Sequence, residues 1–165
     1  MPSILFVCTA NRFRSPLAAA MLRGRMEELD IADSWSISSA GTWATDGEPV
    51  MPGITVAAQR LNIDVSDHRS VRVSGKLLSN YDLIIVMEAG HKEALLSEFP
   101  HLQEHIYLLS EVVERRNYDI PDALGSEQEM VEVIAELNSL IARGVNSICV
   151  LATYLNNTKA SRDPS

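Results

Sequence analysis

Along the chain, short continuous apolar runs alternate with longer segments in which apolar positions recur every three or four residues. The first run, Ser3 to Val7 (SILFV), has the branched and aromatic side chains of a strand covered on both faces. After a turn from Thr9 to Arg14, the segment LAAAMLRGRMEELD carries helix formers with an apolar face, and Ser15-Pro16 supplies an N-cap and a first-turn proline. A second strand is expected near Trp35 to Ser39, a helix near Pro52 to Leu61, and a buried strand at Tyr81 to Met87. HKEALLSEF reads as a helix stopped by Pro100, HIYLL as a fourth strand, and SEQEMVEVIAELNSLIAR as a long amphipathic helix capped by Ser126. Strands alternating with helices predict an α/β fold of three layers, a four-stranded parallel sheet with helices on both faces.

Two stretches leave this pattern open. After Gly144, SICVLATYL either extends the last helix or adds an edge strand, since a short apolar run does not distinguish them. The polar tail from Asn156 to Ser165 reads as frayed or disordered, which limits the expected single domain to residues 1–155.

Composition narrows the function classes. With 165 residues, 46% of them apolar, the chain supports one substantial core. A formal charge of -8 and the lack of a basic stripe argue against a nucleic-acid partner, whose phosphates need clustered Lys and Arg. The amino-terminal MPSILFVC lacks a basic leader, and no continuous run approaches the roughly 18 apolar residues of a membrane span, so no membrane association is expected. Cys8 and Cys149 lie far apart and form neither a metal cluster nor a disulfide framework, which suits a reducing cytoplasm.

The chemistry concentrates where the first strand ends. In an open parallel sheet a ligand sits beyond the carboxyl ends of the strands, and Cys8 occupies that place. The segment Cys8-Thr9-Ala10-Asn11-Arg12-Phe13-Arg14-Ser15-Pro16 then turns into a helix start, where unpaired amides and the helix dipole attract an anion. Arg14 brings a planar guanidinium suited to two phosphate oxygens at once. The same positive surroundings favour a thiolate at Cys8, with the Ser15 hydroxyl as a donor to it. The plainer alternative is a buried core cysteine at a strand end.

These residues resemble the low-molecular-weight protein tyrosine phosphatases, whose loop is Cys, five residues, Arg, Ser and usually Pro near the amino terminus. Ser39-Ala40-Gly41-Thr42, Gly47-Glu48-Pro49, Asp64 to Ser70 (DVSDHRS) and Tyr81 to Glu88 (YDLIIVME) are similar in order and spacing, over about residues 1–145. MEAGHKEALLSEFP points to the bacterial branch. The resemblance implies a flavodoxin-like fold, a metal-independent and cofactor-free phosphomonoesterase, and a phosphocysteine intermediate on Cys8. It also implies a phosphorylated protein as partner, bacterial tyrosine kinases being one such class. Inorganic phosphate would be product and competitive inhibitor, and the protein a monomer or weak dimer.

By position, Asp122 matches the family's general acid, with Asp119 as a fallback; both are otherwise solvated loop carboxylates. Ala123 and Leu124 stand where Pro and an aromatic are expected, which leaves Leu124 and Trp43 as candidate pocket walls. Asn11 suits a left-handed turn in the phosphate loop (Thr9, Ala10, Asn11, Arg12, Phe13 and Ser15), and Ser39 and His68 match residues that support the loop from behind. Ala10 stands where Gly is usual. Arg12 either selects an acidic substrate or is a solvated surface residue, and Phe13 replaces the second cysteine that protects many members from over-oxidation. Three rivals follow: a protein arginine phosphatase, a weakly active phosphate-binding regulatory module, and an arsenate reductase. The last is disfavoured because no cysteine lies between Cys8 and Cys149 to relay electrons.

Overall fold

The computed structural model describes residues 1–123 and 125–162. Four parallel strands, β1 (Ser3–Cys8), β2 (Ser36–Gly41), β3 (Leu83–Val86) and β4 (Ile106–Leu108), lie in the order β2-β1-β3-β4. This is the flavodoxin-like order with helices on both faces. All six residues of β1 are buried. Ile4, Phe6 and Cys8 face one side and Leu5 and Val7 the other, which explains an apolar run without alternation.

The first side is covered by α1 (Arg14–Glu28), α2 (Ile54–Gln59), α5 (Leu109–Glu114) and α6 (Glu127–Arg162), the second by α3 (Gly75–Leu78) and α4 (Ala89–Glu98). Phe6 is fully enclosed under α1 and α6, and truncation to Ala there costs about 3–5 kcal/mol. The chain crosses from one flank of the sheet to the other between β1 and β3, which makes the carboxyl ends of these two strands the switch point where a crevice opens.

Two expectations need correcting, and one open choice closes. Ser15 does not cap α1: the N-cap is Phe13, with no side-chain cap bond, because the Ser15 hydroxyl is held in the loop network described below. Of the two readings open after Gly144, extension of the last helix is the one observed, and Gly144 marks no helix end. It lies inside α6, where a Cβ would meet Val113 at 2.5 Å, so glycine is what lets α5 pack closely against α6. Helix α6 also runs through the residues expected to fray, up to Arg162, while Asp163 to Ser165 lie outside the described residues. Buried Leu155 and a 3.0 Å bond from Asn156 Nδ2 to Asp82 Oδ2 dock this stretch on the start of the sheet.

Finally, a window within Glu127–Lys159 is long and apolar enough to cross a membrane by length and composition alone, with mean hydropathy 1.3. Its Ile134, Leu137, Leu140, Ile141 and Ile148 are packed in the core, the position of a covering helix.

Candidate active site

β1 delivers Cys8 to the switch point, where its Sγ lies 2.9 Å from Ser15 Oγ at the foot of α1. Pairing with β2 continues into the loop, since Thr42 N donates to Cys8 O and Trp43 N to Thr9 O, each at 2.9 Å. The approach is so close that a Cβ on Gly41 would meet Thr9 O at 2.4 Å and Asn11 N at 2.9 Å, which explains the glycine of Ser-Ala-Gly-Thr.

Asn11 is the keystone of the loop. It takes the left-handed conformation at φ 57°, which Asn tolerates better than most residues, and is fully buried. Its amide Nδ2 donates to Ser15 Oγ (2.8 Å) and Ser39 Oγ (2.9 Å), and its Oδ1 accepts from Val71 N (2.8 Å). From behind, His68 Nε2–H donates to Asn11 O at 2.7 Å. Burial lowers the pKa of His68 below the ordinary value, and its bond to Asn11 opposes that shift. Ala10 has no positive φ, so it fits without backbone strain.

Arg14 is 1% exposed. Its Nη1 donates to Ile120 O at 2.7 Å and pairs with Glu88 Oε2 at 3.0 Å, while Nη2 lies 3.7 Å from Asp122 Oδ2 and 3.4 Å from Thr9 Oγ1. Asp122 is thus beside the guanidinium. Asp119 is turned elsewhere, with Oδ1 accepting from Ala89 N at the start of α4. Between them Ile120 is fully buried and its N–H donates to Met87 O at 2.8 Å, which ties the acidic segment to the end of β3.

At the rim, Arg12 Nε donates to Pro49 O at 2.8 Å and Met51 N to Arg12 O at 2.9 Å. Phe13 points into the core, where it packs in the cluster that contains Cys8. Trp43 is 77% exposed, its ring 5.6 Å from the Arg72 guanidinium.

The profile of the family described as "Low molecular weight phosphotyrosine protein phosphatase" matches residues 3–149. The chain is 32% identical over 145 residues to the probable low molecular weight protein-tyrosine-phosphatase EpsP of Ralstonia nicotianae, which spans 88% of this chain and 92% of that protein. It is 29% identical over 141 residues to a protein-arginine-phosphatase of Geobacillus stearothermophilus, covering 85% and 91% of the two chains. The chain belongs to the low molecular weight phosphotyrosine protein phosphatase family. A solved structure of the YwlE arginine phosphatase, a Cys-to-Ser mutant with a phosphorylated active site serine, superposes with TM-score 0.83 at 26% identity, covering 88% and 95% of the chains.

In this phosphatase the structure brings Cys8, Asn11, Arg14, Ser15, Ser39, His68 and Asp122 together, and keeps Asp119 and Phe13 out of the cup. Leu124 lies outside the described residues. Sequence reasoning assigned no role to Glu88 and His91. Reciprocal capping-box bonds join them at the start of α4, but Glu-x-x-His departs from the Ser/Thr-x-x-Glu/Gln pattern by which such a box is read from sequence. A second unassigned contact, the Ile120 carbonyl on Arg14, has no sequence signal.

Proposed function

We propose that this phosphatase hydrolyses phosphotyrosine in proteins by passing the phosphoryl group through Cys8. The observation that carries the reading is Cys8 Sγ lying 2.9 Å from Ser15 Oγ below a helix start that no side chain caps, beside the buried Arg14 guanidinium. Helix-start amides, the helix dipole and the guanidinium there all favour an anion. Ser15, already accepting from Asn11 Nδ2, has one proton to give, with Ala40 O at 3.3 Å and Cys8 Sγ at 2.9 Å as its acceptors, and a thiolate is both the nearer and the charged one.

In the first step the S–P bond forms as the P–O bond to the tyrosine oxygen breaks, and Asp122 gives that oxygen a proton. In the second, water transfers a proton to Asp122 and attacks phosphorus, the S–P bond breaks, and inorganic phosphate leaves. The phosphorylated serine of the YwlE mutant supports a covalent intermediate of this kind. Attachment of the acidic segment at both Ile120 N and Ile120 O supports working acid catalysis and weighs against a weakened regulatory module.

Tyrosine is favoured over arginine by the rim. A phosphorylated guanidinium keeps a positive charge beside the phosphoryl group and would meet the Arg12 cation held against Pro49 O, whereas a phenyl ester is neutral and can lie against exposed Trp43. Two free cysteines fit a reducing cytoplasm, with a tyrosine kinase of a bacterium as a suitable substrate and phosphate as a competitive inhibitor. The protein acts as a monomer or weak dimer.

The test is hydrolysis of p-nitrophenyl phosphate without added metal by wild type, Cys8→Ser, Asp122→Ala and Asp119→Ala, then paired phosphotyrosine and phosphoarginine peptides. Loss with the first two variants, retention with the third and preference for phosphotyrosine support the reading. Full activity of Cys8→Ser, or preference for phosphoarginine, overturns the corresponding part.

A further inference from the structure

His91 is 95% enclosed against the loop, and its bonds fix its proton. Glu88 N–H donates to Nδ1 at 3.1 Å, so Nδ1 offers a lone pair and the neutral ring carries its hydrogen on Nε2. Burial and the Arg14 cation both hold the His91 pKa below the ordinary value, opposed by Glu88, Asp119 and Asp122, which agrees with a neutral ring. Nε2 lies 2.8 Å from Thr9 Oγ1 and 3.4 Å from Glu88 Oε2, so its hydrogen goes to the Thr9 oxygen. Arg14 Nη2 approaches the same oxygen at 3.4 Å and can only donate.

The Thr9 hydroxyl therefore receives from both neighbours, and its own proton goes to neither. Among the described residues no acceptor takes that proton. Thr9 directly follows Cys8 and shares its oxygen with Arg14, which places the unused donor at the edge of the anion cup.

We propose that Thr9 donates its hydroxyl hydrogen bond to the tetrahedral oxyanion held in the loop, and that His91 is the positioning residue that imposes this direction by occupying the hydroxyl oxygen. The inference rests on the reading of the loop as a phosphoryl site. Main-chain amides of such a cup are fixed by the fold, but a threonine hydroxyl rotates, so it needs a neighbour that can only donate to aim it. A ring with the opposite tautomer would reverse the bond and turn the hydroxyl proton away from the ligand.

Sulfate is the probe, since it is tetrahedral, doubly charged and does not titrate near neutral pH. Its binding is measured by calorimetry at pH 7.5 on the full chain for wild type, Thr9→Val, Thr9→Ser, His91→Ala, His91→Gln and the Thr9→Val/His91→Ala double variant. Loss of one charge-assisted bond weakens binding by about tenfold or more in Thr9→Val and in His91→Ala. The double variant is no weaker than the worse single one, because both changes remove the same bond. Thr9→Ser keeps the hydroxyl, and His91→Gln places an amide N–H near the position of Nε2, so both stay within about threefold of wild type. Unchanged affinity in Thr9→Val, additive losses in the double variant, or loss of affinity in His91→Gln equal to that in His91→Ala overturns the proposal. If wild type itself takes up no sulfate, the reading of the loop fails first, and the variants are then indistinguishable from it.

Discussion

At its first residue, β1 gives the Ser3 amide and hydroxyl to Asp82 Oδ2 at 2.9 and 3.1 Å, and Asn156 Nδ2 adds a third bond at 3.0 Å. At its last residue, the same strand gives the Cys8 sulfur to Ser15, beneath a helix start with no side-chain cap and beside a threonine hydroxyl whose proton is unused. Both clusters are buried and polar. The lower one is closed within the chain, donor to acceptor, while the upper one is braced by Asn11, His68 and Ile120 yet leaves the start of α1 without a side-chain acceptor. A network that only holds the fold is saturated, and one that receives an anion is braced from behind and left open in front.

Substitutions at the upper end should change rate with little change in stability, and those at the lower end the reverse. The largest effect is expected for Cys8→Ser, with turnover of p-nitrophenyl phosphate reduced on the order of 10⁴-fold or more and the melting temperature nearly unchanged. Asp122→Ala follows, with kcat lower by about 10²–10³-fold, while Asp119→Ala, which frees only the Ala89 amide, loses less than about tenfold. If the two aspartates trade these values in steady-state assays, the acid is misassigned.

At the other end, Asp82→Ala strands the Ser3 amide and the Asn156 side chain, the Ser3 hydroxyl keeping Asn80 O at 3.2 Å, and should cost about 2–3 kcal/mol in urea unfolding, and Asn156→Ala about 1 kcal/mol, both with kcat intact. A loss of activity at constant stability in either would erase the contrast.

The smallest effect is on pH. His68 and His91 both have folded-state pKa values below the ordinary one, so the unfolded chain binds their protons more readily. Their contribution is whole above about pH 6.5 and is lost as pH falls through the depressed values. Urea midpoints between pH 7.5 and 5 should therefore fall, and less steeply in His68→Gln; a rise on acidification contradicts the assignment.

The upper end was the more legible in the sequence because its parts are contiguous. SILFVC followed by Arg14, Ser15 and Pro16 shows strand, sulfur, cation and helix start in one stretch, and the family resemblance then locates Ser39, His68 and Asp122. Ser15 is not the cap that a local rule about helix starts predicts, because that rule yields to the bonds it makes with Cys8 and Asn11 across the loop. Helices α3 and α5, with four and six residues, are too short to display a period. The docking of Asn156 depends on a carboxylate 74 positions away, which no window along the chain contains.

That distant bond also sets a schedule. On a ribosome adding about 5–20 residues per second, Ser3 and Asp82 are both made about 4–15 s before Asn156 arrives to join them. Until then the growing chain carries β1 and its neighbours with the underside of the sheet still unlatched. The cup for the anion is complete in sequence by Asp122, so the catalytic end of the molecule is made before the end that fastens it.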